Sequence, residues 1–297
     1  RSTLFPYTTL FRSSYFYDYE ANPVFSKIYD IEMCSINEIN AAVSSIIVIP
    51  EILVQDDNFN NDIIEYAENN TLMIWYLSWD FTGVINTTWG NVVEKLRYSQ
   101  YAKNIYHCCE SRFAYNMLMS YGVNENIFML QHGVNEKFVN LSKQDTKQDV
   151  VFYNGFKNGT RRFVEKVLIP KLPDVDFLGL LPENGYKNKE EVCCDLDRCK
   201  IYIDTCAFLG RELMPREAAI RDCVLIVEDY GCASGYEDYP IPSEYKIKAP
   251  FDAESIANKI RYYIKNYEEA LLDMQVMKNK CLSENKGFET QIKVLFG

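Results

Sequence analysis

The hydrophobic pattern of the chain alternates between two kinds of segment. Short, continuous runs rich in β-branched residues are typical of buried parallel strands, and segments with a period of 3.6 residues are typical of helices. The first half predicts helices at residues 62–69 and from Ser111 to about Gly122, with strands at residues 44–50, 72–77, 104–107 and 127–130. Ser111 is a suitable N-cap for its helix, and Gly122 a suitable end. The polar residues 140–148 predict a linker.

The second half repeats the same alternation. It predicts strands at residues 149–153, 176–178, 200–204, 223–227 and 245–248. It predicts helices at residues 160–169, 190–198, 215–221 and 252–265, followed by a C-terminal helix. Alternation of this kind produces parallel sheets covered by helices on both faces. We therefore predict an α/β protein with two Rossmann-like, doubly wound domains that face a cleft. The predicted domains are residues 14–145 and 146–272, and residues 273–297 form the final helix.

The first thirteen residues, RSTLFPYTTLFRS, read like the in-frame translation of a sequencing-adapter oligonucleotide. We exclude them from the fold argument, as one excludes a cloning scar. The authentic sequence is then expected to begin near Ser14, inside a gene. On this interpretation the chain is a metagenomic fragment whose N-terminal domain is truncated.

Composition and charge exclude several classes of protein. The net charge is 31 − 42 = −11, which argues against a nucleic-acid partner, because such binding needs a basic surface. The longest apolar run, residues 41–54, is interrupted by Pro50 and Glu51 and is shorter than the roughly 20 residues that span a bilayer. The ten cysteines form no CxxC pair and the chain has only two histidines, so no metal site is predicted. Buried free thiols in a reducing, cytoplasmic compartment are the better interpretation.

A loop-to-helix junction with the sequence GRELMPREAA, residues 210–219, follows the strand that ends at Asp204. The carboxylate of Glu217 can accept two hydrogen bonds at once, which suits a vicinal diol such as a ribose. The exposed amides of a helix N-terminus suit a phosphate. On residue type alone, Glu217 fits equally well as a side chain that merely complements the helix dipole.

Several segments, taken in order, resemble the GT-B glycosyltransferases, and most closely the large retaining family 4, or group 1 type. PREAA resembles the PxEAxA part of that family's signature. The other matching segments are YGVNENIFMLQHGVN at 121–135, VFYNGFK at 151–157, KIYID at 200–204, CVLIV at 223–227 and DAESIA at 252–257. The resemblance covers about residues 72–266, mainly in the C-terminal half.

The resemblance implies a donor site in the C-terminal domain. Glu217 would bind the ribose of a nucleotide diphosphate sugar, UDP- or GDP-linked, and Arg216, Gly210 and Gly231 would lie beside the donor. As alternatives, Gly231 is explained by a turn and Glu217 by the helix dipole.

The resemblance also implies how the leaving group is stabilised. Lys157 would face the diphosphate, and Arg211 is a second candidate for that catalytic role. A solvated loop position is the alternative for Lys157. No metal is expected, because no acidic DxD fits the donor site.

The chain departs from the family pattern at several positions. Leu209 stands where the family often has an acid, eight positions before Glu217, and Glu212 is near that position but out of register. The family's early histidine is absent, and Ser-Trp-Asp80 stands at the end of the 72–77 strand instead. Asp80 is our candidate for contact with an acceptor hydroxyl, and capping of the next turn is its alternative role. Glu51, at the end of the preceding strand, is likewise a candidate for contact with an acceptor, and capping of the next turn is likewise its alternative role.

The function implied is metal-independent, retaining transfer of a hexose from the nucleotide sugar to a glycan or a small glycosylated molecule. An epimerase or phosphorylase of the same fold is less compatible with the scarce histidines and the chain length. A different class also stays open, namely a non-catalytic GT-B-like module that binds a nucleotide, a glycan or a partner enzyme. Leu209 favours that alternative somewhat.

Overall fold

The computed structural model describes residues 15–17, 32–34, 43–51, 64–79, 88–143, 146–185 and 187–296. The predicted adapter segment, residues 1–13, lies outside them. Tertiary contacts divide the chain into two compact units. Unit 1 comprises Arg1–Glu110, Tyr115–Leu130 and Phe288–Gly297, and unit 2 comprises Ser111–Ala114 and Gln131–Gly287.

Unit 1 is built on parallel strands. They are β1 Tyr15–Tyr17, β2 Glu32–Cys34, β3 Ile46–Pro50, β4 Thr71–Tyr76, β5 Ile105–Cys109 and β6 Ile127–Met129. β1 pairs with β2, and the other four form a sheet in the order β3-β4-β5-β6. The helices α1 Thr88–Tyr98 and α2 Arg112–Ser120 follow β4 and β5. β4 is buried from its second residue to its last, which explains its continuous apolar sequence.

Unit 2 contains a five-stranded parallel sheet. Its strands are β7 Gln148–Asn154, β8 Asp176–Leu180, β9 Cys199–Asp204, β10 Val224–Glu228 and β11 Lys246–Ile247. They lie in the order β8-β7-β9-β10-β11, and every pair is parallel. Counted from the first strand of the unit, this is the doubly wound order 2-1-3-4-5. The predicted α/β class with two parallel sheets is confirmed.

The helices of unit 2 are α3 Glu136–Asn140, α4 Asn158–Phe163, α5 Lys189–Arg198, α6 Leu213–Ile220, α7 Ala253–Lys265, α8 Tyr267–Asp273 and α9 Gln275–Phe296, whose last residues belong to unit 1. Side chains cap the first turns of α3, α5 and α7. Asn188 and Glu191 form a capping box at α5. Asp252 accepts hydrogen bonds from two amides of α7.

The second compact unit begins earlier than residue 146, where the sequence placed a domain boundary. Val134 and Phe138 are buried in the same hydrophobic core as the strands β7 and β9. Within the predicted linker, the Lys147 Nζ donates to the carbonyls of Leu196, Cys199 and Arg221, at 2.8, 2.8 and 2.6 Å. Lys147 therefore binds carbonyls at the ends of α5 and α6 and is not simply a solvated linker charge.

The helix predicted at residues 160–169 is also different in the structure. α4 ends at Phe163, and a wider π turn at Val164–Leu168 and a 3₁₀ turn at Ile169–Lys171 replace its second half. Pro170 explains the change, because proline lacks the amide hydrogen and its ring clashes with the carbonyl four residues earlier.

Arg221, at a position where the family that the sequence resembles usually has glycine, has a structural role here. Its side chain is fully buried and forms an ion pair with Asp197, with 2.7 Å between Nε and Oδ1. It also donates to the carbonyls of Phe138, at 3.2 Å, and Leu141, at 2.7 Å. A buried charge is tolerated here because all three guanidinium nitrogens of Arg221 donate hydrogen bonds to acceptors.

The prediction of buried free thiols is confirmed for the cysteines whose side chains are described. All nine are free, and all except Cys194 and Cys206 are buried. In the described parts of the chain, no helix combines the length and apolar character needed to cross a bilayer.

Candidate donor site in unit 2

The strand order of unit 2 defines where a ligand is expected. From β7 the chain first adds β8 on one side of the sheet and then adds β9, β10 and β11 on the other side, so the topological switch point lies between β7 and β9. Doubly wound sheets bind ligands at this point, beyond the carboxyl ends of the strands. The segments that leave these two ends begin at Gly155 and Thr205. The side chains of Lys157 and Glu212, on the segments that follow, meet at this edge.

Lys157 lies at the centre of this edge. Its Nζ is 2.9 Å from the Oδ2 of Asp204 and 3.2 Å from the Oε2 of Glu212, and it lies over the ring of Phe208 at 4.7 Å. Its side chain is 20% exposed, so the ammonium is not a solvated loop charge. The structure therefore places the predicted lysine at the switch point.

Asp204 fixes the position of Lys157. The Asp204 carboxylate is completely buried and accepts four hydrogen bonds. The Oδ1 accepts from the Thr160 hydroxyl at 2.8 Å and the Cys206 amide at 3.0 Å, and the Oδ2 accepts from Lys157 and from the Tyr202 hydroxyl at 3.0 Å. With this many donors, Asp204 is a rigid part of the scaffold rather than a free ligand.

The carboxylates around Lys157 control its charge. Burial lowers the pKa of Lys157, but Asp204 and Glu212 outweigh burial and hold the pKa above its ordinary value. Burial also raises the pKa of Glu228, at the end of β10, and the nearby Asp204 raises it further. Lys157 is thus a permanent cation in surroundings that contain more carboxylates than ammonium groups.

Glu217 lies in the middle of α6 and is 3% exposed. The Lys189 Nζ, 3.8 Å from its Oε1, is the one charged group within ion-pair distance among the described residues, and no described residue donates a hydrogen bond to the carboxylate. Burial raises the pKa of Glu217, while Lys189 and Arg216 oppose the shift. A buried carboxylate without hydrogen bonds is costly, which is typical of a group that awaits a ligand.

Arg211 and Arg216 form a separate cluster on Glu284, a residue of α9. Arg211 pairs with the Oε1 of Glu284, and the Arg216 Nη2 lies 2.6 Å from its Oε2 and 2.5 Å from the His132 carbonyl oxygen. Both arginine side chains are fully buried. Direct contact of either guanidinium with a donor, which the sequence suggested, stays a prediction that would require these ion pairs to rearrange.

The two candidate glycines shape the loops beside α6. Gly231 has a φ of +57°, and a Cβ there would lie 2.1 Å from the Phe208 carbonyl oxygen, so only glycine fits. The carbonyl of Gly210 accepts from the Glu212 amide at 3.1 Å, just before α6 begins. Gly231 therefore fixes the loop that approaches Phe208, and Gly210 lies in the backbone turn just before α6.

The acceptor-side candidates lie in unit 1. Asp80 falls outside the described residues. Glu51 is buried at the end of β3, and its carboxylate accepts from the amides of Leu77 and Ser78, each at 3.1 Å, and from the Ser78 hydroxyl at 3.2 Å. Burial raises the pKa of Glu51 to about 7, although these hydrogen bonds lower it. Glu51 thus holds the segment that follows β4.

No protein-family model matches the chain, and no curated protein matches it in sequence. Solved structures do match in three dimensions. A TarM variant from S. aureus, in complex with fondaparinux, α-GlcNAc-glycerol and UDP, aligns with a TM-score of 0.57 at 15% identity, over 77% of this chain and 51% of that one. The GtfA/B complex aligns with a TM-score of 0.58 at 11% identity, over 86% and 58%.

A third match is sucrose-phosphate synthase from Thermosynechococcus elongatus, with a TM-score of 0.55 at 14% identity, over 92% of this chain and 75% of that one. The chain has the GT-B fold. It spans about half the length of the TarM chain. At these identities the GT-B likeness establishes the fold, and function has to be argued from the site.

Sequence reasoning missed three residues of unit 2, Asp204, Thr160 and Glu284. Asp204 was recognised only as a strand end, and Thr160 only as a helix start. Glu284 was not singled out, because a lone glutamate in a long polar helix has no local signal. For Asp204 a signal was present, since a charged residue that ends an apolar strand at a switch point is placed to bind or to position a binding group.

Proposed function

We propose that the chain is a glycosyltransferase that moves a hexose from a nucleotide diphosphate sugar to a glycan or a small glycosylated acceptor. The observation that carries the proposal is that Glu217 and Lys157 both lie in the doubly wound unit 2 of a GT-B fold. Glu217 is a buried carboxylate to which no described residue donates a hydrogen bond, and Lys157 is a partly buried cation at the switch point. A nucleotide diphosphate offers the complementary groups, a ribose diol and an anion.

Glu217 would accept hydrogen bonds from the two ribose hydroxyls. α6 rises about 1.5 Å per residue, so the five positions between Glu212 and Glu217 separate them by roughly 7.5 Å along the helix axis. A ligand that reaches both regions must therefore be extended, as a nucleoside diphosphate is. Arg216 would contribute through its ion pair with Glu284, which positions the start of α6.

Lys157 would stabilise the diphosphate that departs when the glycosidic bond forms. A fixed cation in partly buried surroundings is most effective where negative charge develops in the transition state. This role of Lys157 supports catalysis without a metal, and retention of configuration is proposed from the family resemblance. UDP is the first donor nucleotide to test, since the TarM structure that aligns with this chain contains it.

A non-catalytic nucleotide-binding or glycan-binding module is the second candidate. Leu209 replaces the acid that the family often has, and Lys157 is already paired with two carboxylates. Such a module would bind a nucleotide through Glu217 without turning over its sugar. Turnover with an acceptor panel, after binding is established, distinguishes the two candidates.

A thermal-shift panel with UDP, GDP, ADP and their hexose conjugates tests the site. A ligand at 100 times its dissociation constant adds about 2.7 kcal/mol to stability. We expect one nucleotide to raise the melting temperature of the wild type and to have little effect on Glu217→Gln. Glu254→Gln, an exposed change at the start of α7, is the matched control and should keep the shift. Equal shifts in wild type and Glu217→Gln would contradict the assignment of the ribose site.

A further inference from the structure

The start of α6 contains an ion pair that the proposed reaction does not use. The Glu212 Oε2 lies 3.2 Å from the Nζ of Lys157, the same ammonium that the proposed function assigns to the diphosphate. Glu212 occupies the N-cap position of α6, yet its side chain makes no capping hydrogen bond to the helix. The carboxylate is instead directed to Lys157, where a bound diphosphate would have to lie.

The two carboxylates on Lys157 differ in their freedom to leave. Asp204 is completely buried and holds four donors, so it cannot exchange with a ligand. Glu212 has a side chain that is 36% exposed and is attached to the end of a helix. Its rotation toward solvent would expose less buried carboxylate than that of Asp204, and we expect a ligand to displace Glu212 rather than Asp204 from Lys157.

Displacement places two like charges near each other. A diphosphate bound to Lys157 would lie beside the carboxylate that it displaced, and like charges at short range in a partly buried site repel strongly. A hydroxyl donor between the two anions relieves this repulsion, because an ionised carboxylate is an acceptor of hydrogen bonds. The hexose attached to the diphosphate carries such hydroxyls, whereas the product diphosphate carries none at that end.

We infer that Glu212 competes with the nucleotide diphosphate for Lys157 and makes the site select the sugar-bearing donor over the sugar-free product. This inference rests on the proposed function and deepens it. With the hexose present, the displaced carboxylate accepts hydrogen bonds from the sugar hydroxyls. After transfer the hydroxyls are gone, Glu212 returns to Lys157, and the diphosphate is released.

Calorimetric titration of the full chain with UDP and UDP-hexose, or with the GDP pair if the panel selects guanosine, tests this selection. For Glu212→Gln we expect the sugar-free diphosphate to bind roughly tenfold more tightly than to the wild type, equivalent to about 1.4 kcal/mol. We expect no such gain for the sugar conjugate, so the preference for conjugate over diphosphate falls by about the same factor. Glu212→Ala should reproduce the gain for the diphosphate.

Two controls separate this inference from the proposed function. Glu254→Gln removes a glutamate from the first turn of α7, where it pairs with Lys171 at 3.1 Å, and should leave both affinities unchanged. Glu217→Gln should weaken the diphosphate and the conjugate alike. If Glu217→Gln abolishes binding while Glu212→Gln leaves the preference for the conjugate intact, the competition is overturned and the donor site stands. If neither nucleotide binds the wild type, the proposed function is overturned and the competition with it.

Discussion

Replacement of Glu284 by glutamine removes the carboxylate that two buried arginines share. The side chains of Arg211 and Arg216 are fully buried, and that of Glu284 is 5% exposed. Breaking a buried ion pair from one side typically costs 3–5 kcal/mol, because the remaining charge stays desolvated. We therefore expect Glu284→Gln to lower the free energy of unfolding at pH 7 by about 3–5 kcal/mol.

The same change should alter the dependence of stability on pH. Burial raises the pKa of Glu284, but Arg216 and Arg211 outweigh it and hold the pKa below its ordinary value of 4.5. A carboxyl with a lowered pKa in the folded state stabilises the fold above its unfolded pKa and loses this effect as the pH falls through the folded pKa. The difference between wild type and Glu284→Gln should therefore be largest near neutrality and shrink below pH 4.5.

Urea unfolding followed by far-ultraviolet circular dichroism measures this difference. Tryptophan fluorescence is unsuitable, since the three tryptophans all lie within residues 75–89, in unit 1. Arg211→Met is the internal control. It leaves the pair of Arg216 and Glu284 intact and removes two buried N–H groups, Nε and Nη1, that have no hydrogen-bond partner among the described residues. It should cost much less than Glu284→Gln. A loss below about 1 kcal/mol for Glu284→Gln, or a difference that persists on acidification, would refute the reasoning.

Two further predictions concern the backbone and unit 1. Gly231→Ala should lower the melting temperature, because φ is +57° and the new Cβ would lie 2.1 Å from the Phe208 carbonyl oxygen. Gly287→Ala, in α9 with open space around it, is the control and should be neutral or stabilising. Equal effects of the two changes on the melting temperature would count against the loop geometry. Burial raises the pKa of Glu51 to about 7, so the folded state binds this proton more tightly than the unfolded state does. The wild type should therefore lose stability as the pH rises from 4.5 through 7. Glu51→Gln should lack this slope in a pH series of melting temperatures, and an identical slope would exclude Glu51 as its source.

The site residues were accessible to sequence reasoning to different degrees. The family resemblance suggested Lys157, because the family often has a basic residue after this strand, and the structure shows Lys157 just beyond the end of β7 at the switch point. Its partners Asp204 and Glu212 lie 47 and 55 positions further along the chain, so their contact with Lys157 depends on the strand order and has no local pattern. Arg211 is a different case, since the resemblance suggested a ligand contact, and the partner that the structure shows for it is Glu284 on α9.

The sequence by itself determined the fold class, the sites of most strands and helices, and the junction that carries Glu217. These follow from local physics, because hydrophobic period, capping residues and strand-end positions act over a few neighbouring residues. Only the tertiary structure decided the order 2-1-3-4-5 in unit 2, the depth at which Glu217 is buried, and the division of the basic residues between Lys157 at the switch point and the arginines on Glu284. Ion pairs are chosen by the three-dimensional distance between charges, and that distance is fixed only when all the strands have assembled.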